Sequence, residues 1–154
     1  MFKLSIAGIA LALLAGAAAA QQPPAKPKPP QQPTATPAKI SLAAVAGKWK
    51  VRATDLSGAN VVEVELTATA DSSDWTIVGA NRPPIRERIV AVAGDSIVGE
   101  AGPYESFLLK GVQVTQRDVY RLKDGKLVST MIGHYATARG DSVTHRRSVG
   151  TRVP

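Results

Sequence analysis

From residue 47 onward, apolar and polar side chains alternate along the chain with a period of two. The stretch 48–53 reads KWKVRA, and the stretch 62–68 reads VEVELTA. Successive side chains of a β-strand point to opposite faces, so each stretch has one apolar and one charged face. Turn-forming residues interrupt the pattern roughly every 8 to 12 residues, a spacing typical of an all-β barrel or sandwich.

Nine stretches of the chain are strand candidates: 48–53, 62–68, 75–78, 85–93, 96–100, 104–109, 112–122, 127–137 and 142–152. The segment KDGK at 123–126 contains the Asp-Gly pair of a tight hairpin turn. One candidate can continue its neighbour across a β-bulge. The pattern therefore predicts an all-β fold, an antiparallel up-and-down barrel of eight or nine strands. Only 40–46, with Ser41 as its N-cap, predicts a helix, and that helix has a single turn.

The first twenty residues have the pattern of a secretory signal peptide. Lys3 supplies the positive charge, 4–14 is an apolar run, and Ala18-Ala19-Ala20 matches a small-residue cleavage site. Cleavage after Ala20 would deliver the protein to a bacterial periplasm or to the medium. The mature chain would then have no transmembrane segment.

A proline-rich segment follows the predicted cleavage site. Seven of the eleven prolines lie in 21–38. Such a composition cannot build a packed core and favours extended, solvated chain. Residues 21–39 are therefore predicted to be a disordered linker, and residues 40–154 a single barrel domain.

Composition excludes several classes of protein. The chain contains no cysteine, which rules out disulfides, thiolate metal sites and a lipid-bearing cysteine. The formal net charge of the whole chain is +7, but that of the part from residue 40 onward is only +3, since it contains 15 basic and 12 acidic residues. These charges alternate along strands instead of clustering on one face, so we do not expect a nucleic-acid partner.

The sequence offers few groups for catalysis. His134 and His145 are the only histidines, and neither has a potential metal ligand at the spacing that strands or helices require. Glu63 and Glu65 lie on the charged face of their strand, which indicates a solvated surface more than a glycosidase pair. No nucleophile elbow or phosphate-binding loop occurs. We therefore expect neither an enzyme, nor a metal, nor a cofactor.

Gly47 and Trp49 form a G-x-W motif on the first strand, after a short helical turn, and Arg152 lies on the last strand. This arrangement resembles the lipocalins and other calycins, although their T-D-Y-like stretch is absent. The resemblance implies a small lipocalin-like barrel of 40–152. It also implies that Trp49 closes the barrel floor and that Arg152 packs across the indole, a cation–π contact.

The barrel interior is the expected place for a ligand. On 112–122, Gln116, Asp118 and Tyr120 share one face, and if this face is the interior the polar groups need partners. Strand periodicity on the last strand gives two alternatives. Either Val143, His145, Arg147 and Val149 point inward, which brings His145 and Arg147 toward Asp118, or a slip of register leaves them in solvent.

The candidate ligand site consists of six residues, with Gln116 and Asp118 as its polar handles: Trp75, Gln116, Asp118, Tyr120, Met131 and Tyr135. The predicted function is binding of a small, partly apolar or amphipathic ligand by a monomeric exported barrel. The alternative is a filled barrel that acts through its surface as an envelope interaction or inhibitor module. Which of them applies depends on whether small inward residues (Ala53, Ala68, Gly99, Ser129, Gly133) leave space or large ones (Trp49, Trp75, Phe107, Met131, Tyr135) fill it.

Overall fold

The computed structural model describes residues 39–154. The predicted signal peptide, and the predicted linker up to residue 38, lie outside the described residues. One helix and eight strands follow: α1 Leu42–Val45, β1 Gly47–Asp55, β2 Val62–Ala68, β3 Trp75–Gly79, β4 Ile85–Ala93, β5 Ser96–Glu105, β6 Gln113–Lys123, β7 Lys126–Thr137 and β8 Gly140–Arg152. Within the described range, no helix has the length and apolarity needed to cross a membrane.

The eight strands form one closed, antiparallel, up-and-down barrel. Each strand pairs with the next, and β1 also pairs with β8 to close the sheet. The prediction of an all-β, antiparallel up-and-down barrel of eight or nine strands is therefore confirmed, and the number of strands is eight. The candidate 96–100 and the first two residues of 104–109 belong to the single strand β5, whose pairing with β6 shifts between Ala101 and Tyr104; residues 106–109 lie in the loop that follows. A β-bulge of this kind inserts extra residues into one strand without ending it.

One end of the barrel is closed by the short helix and the first and last strands, and we call it the floor. Trp49 is completely buried, and its indole N–H donates to the carbonyl oxygen of Val45 at 2.8 Å. The Arg152 guanidinium carbon lies 4.3 Å from the centroid of the Trp49 ring, and Arg152 Nη2 donates to the carbonyl of Ala44 at 2.8 Å. Glycine at position 47 leaves space for the Arg152 guanidinium group, because a Cβ there would lie 2.7 Å from Arg152 Nη1. These residues lie as the lipocalin resemblance implies.

The hydrophobic core fills the half of the barrel next to the floor. Trp75 belongs to it, fully buried, with its ring centroid 5.7 Å from that of Tyr120 and its indole N–H donating to Thr69 O at 3.0 Å. The other buried core residues are Val45, Trp49, Val51, Leu66, Ala68, Ile77, Ile97 and Leu127. The opposite end, which we call the mouth, carries the loops β1–β2, β3–β4, β5–β6 and β7–β8.

The last strand presents its even-numbered residues to the interior. Trp49 pairs with Arg152 and Val51 pairs with Gly150. Directly opposed residues of an antiparallel ladder share a face, so the buried Trp49 and Val51 fix this parity for all of β8. Of the two alternatives for Val143, His145, Arg147 and Val149, the inward one is therefore wrong: these four side chains are exposed, without a slip of register, and Arg146 is buried in their place.

Candidate functional site

A cavity of about 70 Å³ lies inside the barrel between the core and the mouth. A water molecule in the liquid takes up roughly 30 Å³, so the space is that of about two waters. The β5–β6 loop covers it, since Phe107 and Leu108 line the cavity. Buried Ser106 shapes this loop, because its Oγ accepts from the backbone N–H groups of Leu108 and Leu109, both at 3.1 Å.

The cavity is small because large side chains occupy the space that inward glycines leave. A Cβ on Gly79 would lie 3.0 Å from Cδ1 of Phe107, and one on Gly133 would lie 3.0 Å from Cε2 of Tyr135. Gly79 and Gly133 therefore accommodate neighbouring aromatic rings instead of leaving open volume.

The cavity wall has two chemically different sides. One side is apolar and is formed mainly by strands β1 to β3, with Val51, Val62, Val64, Leu66 and Ile77. The other side is formed by β5 to β8 and carries hydroxyl, amide, carboxyl and guanidinium groups from Tyr104, Gln116, Asp118, Tyr120, Ser129, Arg146 and Ser148. A ligand with one apolar and one polar part would match this division.

A continuous chain of hydrogen bonds runs along the polar side. The Tyr104 hydroxyl donates to Gln116 Oε1, and Gln116 Nε2 donates to Asp118 Oδ2 at 2.7 Å. Ser129 Oγ lies 3.1 Å from Asp118 Oδ1 and donates to it, and 2.8 Å from the hydroxyl of Ser148. These contacts supply the partners that a buried carboxyl group needs.

A second buried carboxyl group, Glu87 of β4, lies beside this chain and is only 1% exposed. The Tyr120 hydroxyl lies 2.8 Å from Glu87 Oε2 and 3.0 Å from Oε1, and donates to this carboxyl. Gly99, which pairs with Asp118, makes the placement possible, because a Cβ on Gly99 would overlap Glu87 Oε1. Glu87 and Asp118 are therefore neighbours inside the barrel.

Burial makes both carboxyl groups weak acids. Loss of hydration, and then the nearby charge of Asp118, raise the pKa of Glu87 to about 8, against the opposing hydrogen bond from Tyr120. Burial raises the pKa of Asp118 to about 7, although its bonds from Ser129 and Gln116 favour the charged form. The pKa of the Tyr120 phenol is also raised well above its usual value, chiefly by burial.

Arg146 of β8 is the only strongly basic side chain among the buried residues of the described chain, and it is 5% exposed. Its Nη2 donates to the carbonyl oxygen of Ala53 at 3.2 Å and to that of Asn60. Asn60 lies in the β1–β2 loop. The carboxylate of Asp55 stabilises this loop, accepting from Asn60 Nδ2 at 2.6 Å and from the Ala59 N–H at 2.9 Å. Within residues 39–154, Arg146 makes no ion pair.

Five of the six residues predicted to bind a ligand line this cavity: Gln116, Asp118, Tyr120, Met131 and Tyr135. Trp75 does not line it and lies in the core below Tyr120. Sequence reasoning missed Glu87, Tyr104 and Arg146. The pairing of Arg152 with Trp49, which the resemblance implied, already fixes the inward parity of Arg146, so that signal was present in the sequence.

The fold and the site define a closed eight-stranded antiparallel barrel with a small, two-sided cavity near its mouth. No family model matches the chain, and the comparisons with curated proteins and with solved structures found no match.

Proposed function

We propose that this protein is an exported, non-catalytic binding protein of lipocalin-like type, which holds a small amphipathic ligand at the mouth end of its barrel. The observation that carries the proposal is a cavity whose wall is apolar on one side and hydrogen-bonding on the other, and which includes the buried Arg146, a residue that makes no ion pair within the described chain. Polar groups fix the orientation of a ligand in such sites, and apolar contacts supply much of the affinity.

The size of the cavity limits the ligand. A space of about 70 Å³ accommodates only a few non-hydrogen atoms. The polar end of the ligand would lie between Asp118 and Arg146, and its apolar part would extend toward Phe107 and Leu108 at the mouth. A longer ligand would have to displace the β5–β6 loop.

Native mass spectrometry of the purified protein, followed by calorimetric titration with small amphiphiles, tests the proposal. Ala53→Leu adds bulk at the cavity wall and should abolish saturable binding. Ala136→Leu is the matched control, because Ala136 is exposed on the outer face of β7 and its enlargement should leave affinity unchanged. Equal affinities of the two variants would contradict a site inside the barrel.

The competing function is that of a filled barrel, acting through its surface as an envelope interaction or inhibitor module. The cavity volume favours it, since ligand pockets usually measure about 300 to 1,000 Å³. This alternative predicts no saturable response to any fatty acid, isoprenoid or aromatic probe. It also predicts that Met131→Ala changes stability alone.

Export is part of the proposal and rests on the sequence of residues 1–20. Processing after Ala20 gives a mature protein that begins at Gln21. N-terminal sequencing of protein recovered from the periplasm or the medium checks this, and retention of Met1 would contradict it.

A further inference from the structure

An acidic and a basic side chain flank Met131 on the cavity wall. Asp118 pairs with Met131 across β6 and β7, and Met131 pairs with Arg146 across β7 and β8. All three line the cavity, and Asp118 and Arg146 are only 4% and 5% exposed. Neighbouring strands lie about 4.8 Å apart, so the backbones of Asp118 and Arg146 are separated by roughly 10 Å.

The two charged groups are turned away from each other. Asp118 accepts from Gln116 on its own strand and from Ser129 on β7. Arg146 instead donates to the carbonyl oxygen of Ala53 in β1 and to that of Asn60 in the β1–β2 loop. Within the described chain neither of them makes an ion pair. Arg146 therefore carries a buried charge with no compensating charge in the described chain, which is costly. Asp118 adds a second such charge once it ionises above its raised pKa of about 7.

We infer that the ligand carries two complementary groups on its polar end: an acceptor, such as a carboxylate, that meets Arg146, and a donor, such as an ammonium or hydroxyl group, that meets Asp118. Small amino acids and 2-hydroxy acids with an apolar side chain have this chemistry. The inference rests on the proposed function and names the class of ligand for the same cavity.

A ligand with a single charged group fits the site less well. A simple carboxylate would satisfy Arg146 and leave Asp118 without a new donor, and a simple amine would satisfy Asp118 while facing the charge of Arg146. A group of both kinds on one carbon compensates both residues and adds no net charge to the interior.

Matched sets of probes test the inference by calorimetric titration of the purified protein, buffered above the pKa of Asp118. One set has an isobutyl body: leucine, 2-hydroxy-4-methylpentanoate, 4-methylpentanoate and 3-methylbutylamine. Equivalent sets use methyl and benzyl bodies. In at least one set, the two bifunctional probes should bind about tenfold more tightly than either single-group probe, because a single-group probe lacks the charged contact with either Asp118 or Arg146.

Two variants assign each group of the ligand to its partner. Asp118→Asn should remove most of the advantage of leucine over 4-methylpentanoate, and Arg146→Gln should remove most of its advantage over 3-methylbutylamine. Asp124→Asn and Arg139→Gln, at exposed turn residues, serve as controls and should preserve both ratios. A merely structural role for Asp118 or Arg146 would lower the affinity for all probes equally.

A measurement on the unaltered protein covers the case in which Arg146→Gln fails to fold. The NMR signal of the Arg146 Nε–H should shift with both leucine and 4-methylpentanoate, and not with 3-methylbutylamine. If a single-group probe in every set binds as tightly as its bifunctional partner, the inferred ligand class is wrong and binding itself stands. If no probe in any set and no other small amphiphile saturates, the proposed function fails together with the inference.

Discussion

At the scale of single residues, the contact between Trp49 and Arg152 offers a direct test of how the floor is held. Trp49→Ala should lower the free energy of unfolding by about 3 to 5 kcal/mol, as a large truncation in a packed core. Arg152→Ala should cost less, since the guanidinium contributes a cation–π contact of about 0.5 to 2 kcal/mol and hydrogen bonds at a partly solvated end. Urea denaturation of the single and double variants measures these changes.

The double variant should be less destabilised than the sum of the two single variants, because the side chains are in contact. Trp75→Ala combined with Arg152→Ala is the control. Trp75 is an equally buried tryptophan whose ring packs against Tyr120 instead, so that pair should be additive within about 0.5 kcal/mol. Additivity in both pairs would contradict a structural role for the Trp49–Arg152 contact.

Gly99 is the residue that lets the two carboxyl groups share the interior. Gly99→Ala places a methyl group where Glu87 Oε1 lies and should destabilise the barrel by about 1 to 3 kcal/mol, as overpacking does. Adding Glu87→Ala removes the clash, so the second substitution should cost less in the Gly99→Ala background than alone. Thermal unfolding of the four proteins in this cycle measures the difference. Equal costs in both backgrounds would show that Glu87 does not occupy the space above Gly99.

At the scale of elements, the alternating pattern predicted nearly all strands, because a sheet with one buried face imposes a period of two on its sequence. It left the parity of β8 open, because the apolar Val143 and Val149 favour an inward face although exposed valines are common on strands. The ladder from Trp49 to Arg152 decides between the two alternatives. The cavity was beyond reach for another reason: its volume depends on how Phe107 and Tyr135 lie over Gly79 and Gly133, which no local pattern encodes.

The β5–β6 loop borders the cavity on its mouth side through Phe107 and Leu108. Ser106 is almost fully buried, and its hydroxyl oxygen holds the N–H groups of Leu108 and Leu109. Ser106→Ala should therefore accelerate hydrogen exchange at these two amides and lower stability by about 1 to 3 kcal/mol, the cost of losing buried partners. Ser142→Ala, on an exposed part of β8, should leave their exchange unchanged. Unaltered exchange in Ser106→Ala would show that the hydroxyl does not order the loop.

At the scale of the whole molecule, the buried carboxyl groups determine how stability responds to pH. The folded protein raises the pKa of Glu87 from 4.5 to about 8 and that of Asp118 from 3.8 to about 7. Between about pH 4 and pH 8 the folded state therefore holds protons that the unfolded state has released. Stability must fall as pH rises through this window, because the state that binds more protons is favoured at low pH.

Other carboxyl groups act outside this window. Hydrogen bonds from nearby serine hydroxyls lower the pKa of the exposed Asp55, Asp71 and Asp95. Their contribution to stability is present above the ordinary aspartate pKa and is lost only as pH falls further. The protein should therefore be most stable near about pH 4 to 5. Urea midpoints followed by circular dichroism from about pH 4 to pH 9 check this, and a midpoint that rises with pH would contradict it.

Glu87→Gln should make the decrease of stability with rising pH less steep. The amide oxygen can still accept from the Tyr120 hydroxyl, but the side chain cannot ionise, so the proton that Glu87 retains no longer contributes to the slope. Asp118 keeps its raised pKa, because its own desolvation is the cause, so a shallower decrease of stability with pH remains. The variant should be more stable than the unaltered protein above about pH 8, where the latter must bury a charged carboxylate. Glu63→Gln on the exposed face of β2 is the control and should keep the pH dependence of stability of the unaltered protein. If stability falls as steeply with pH in Glu87→Gln as in the unaltered protein, Glu87 does not retain its proton in the folded barrel.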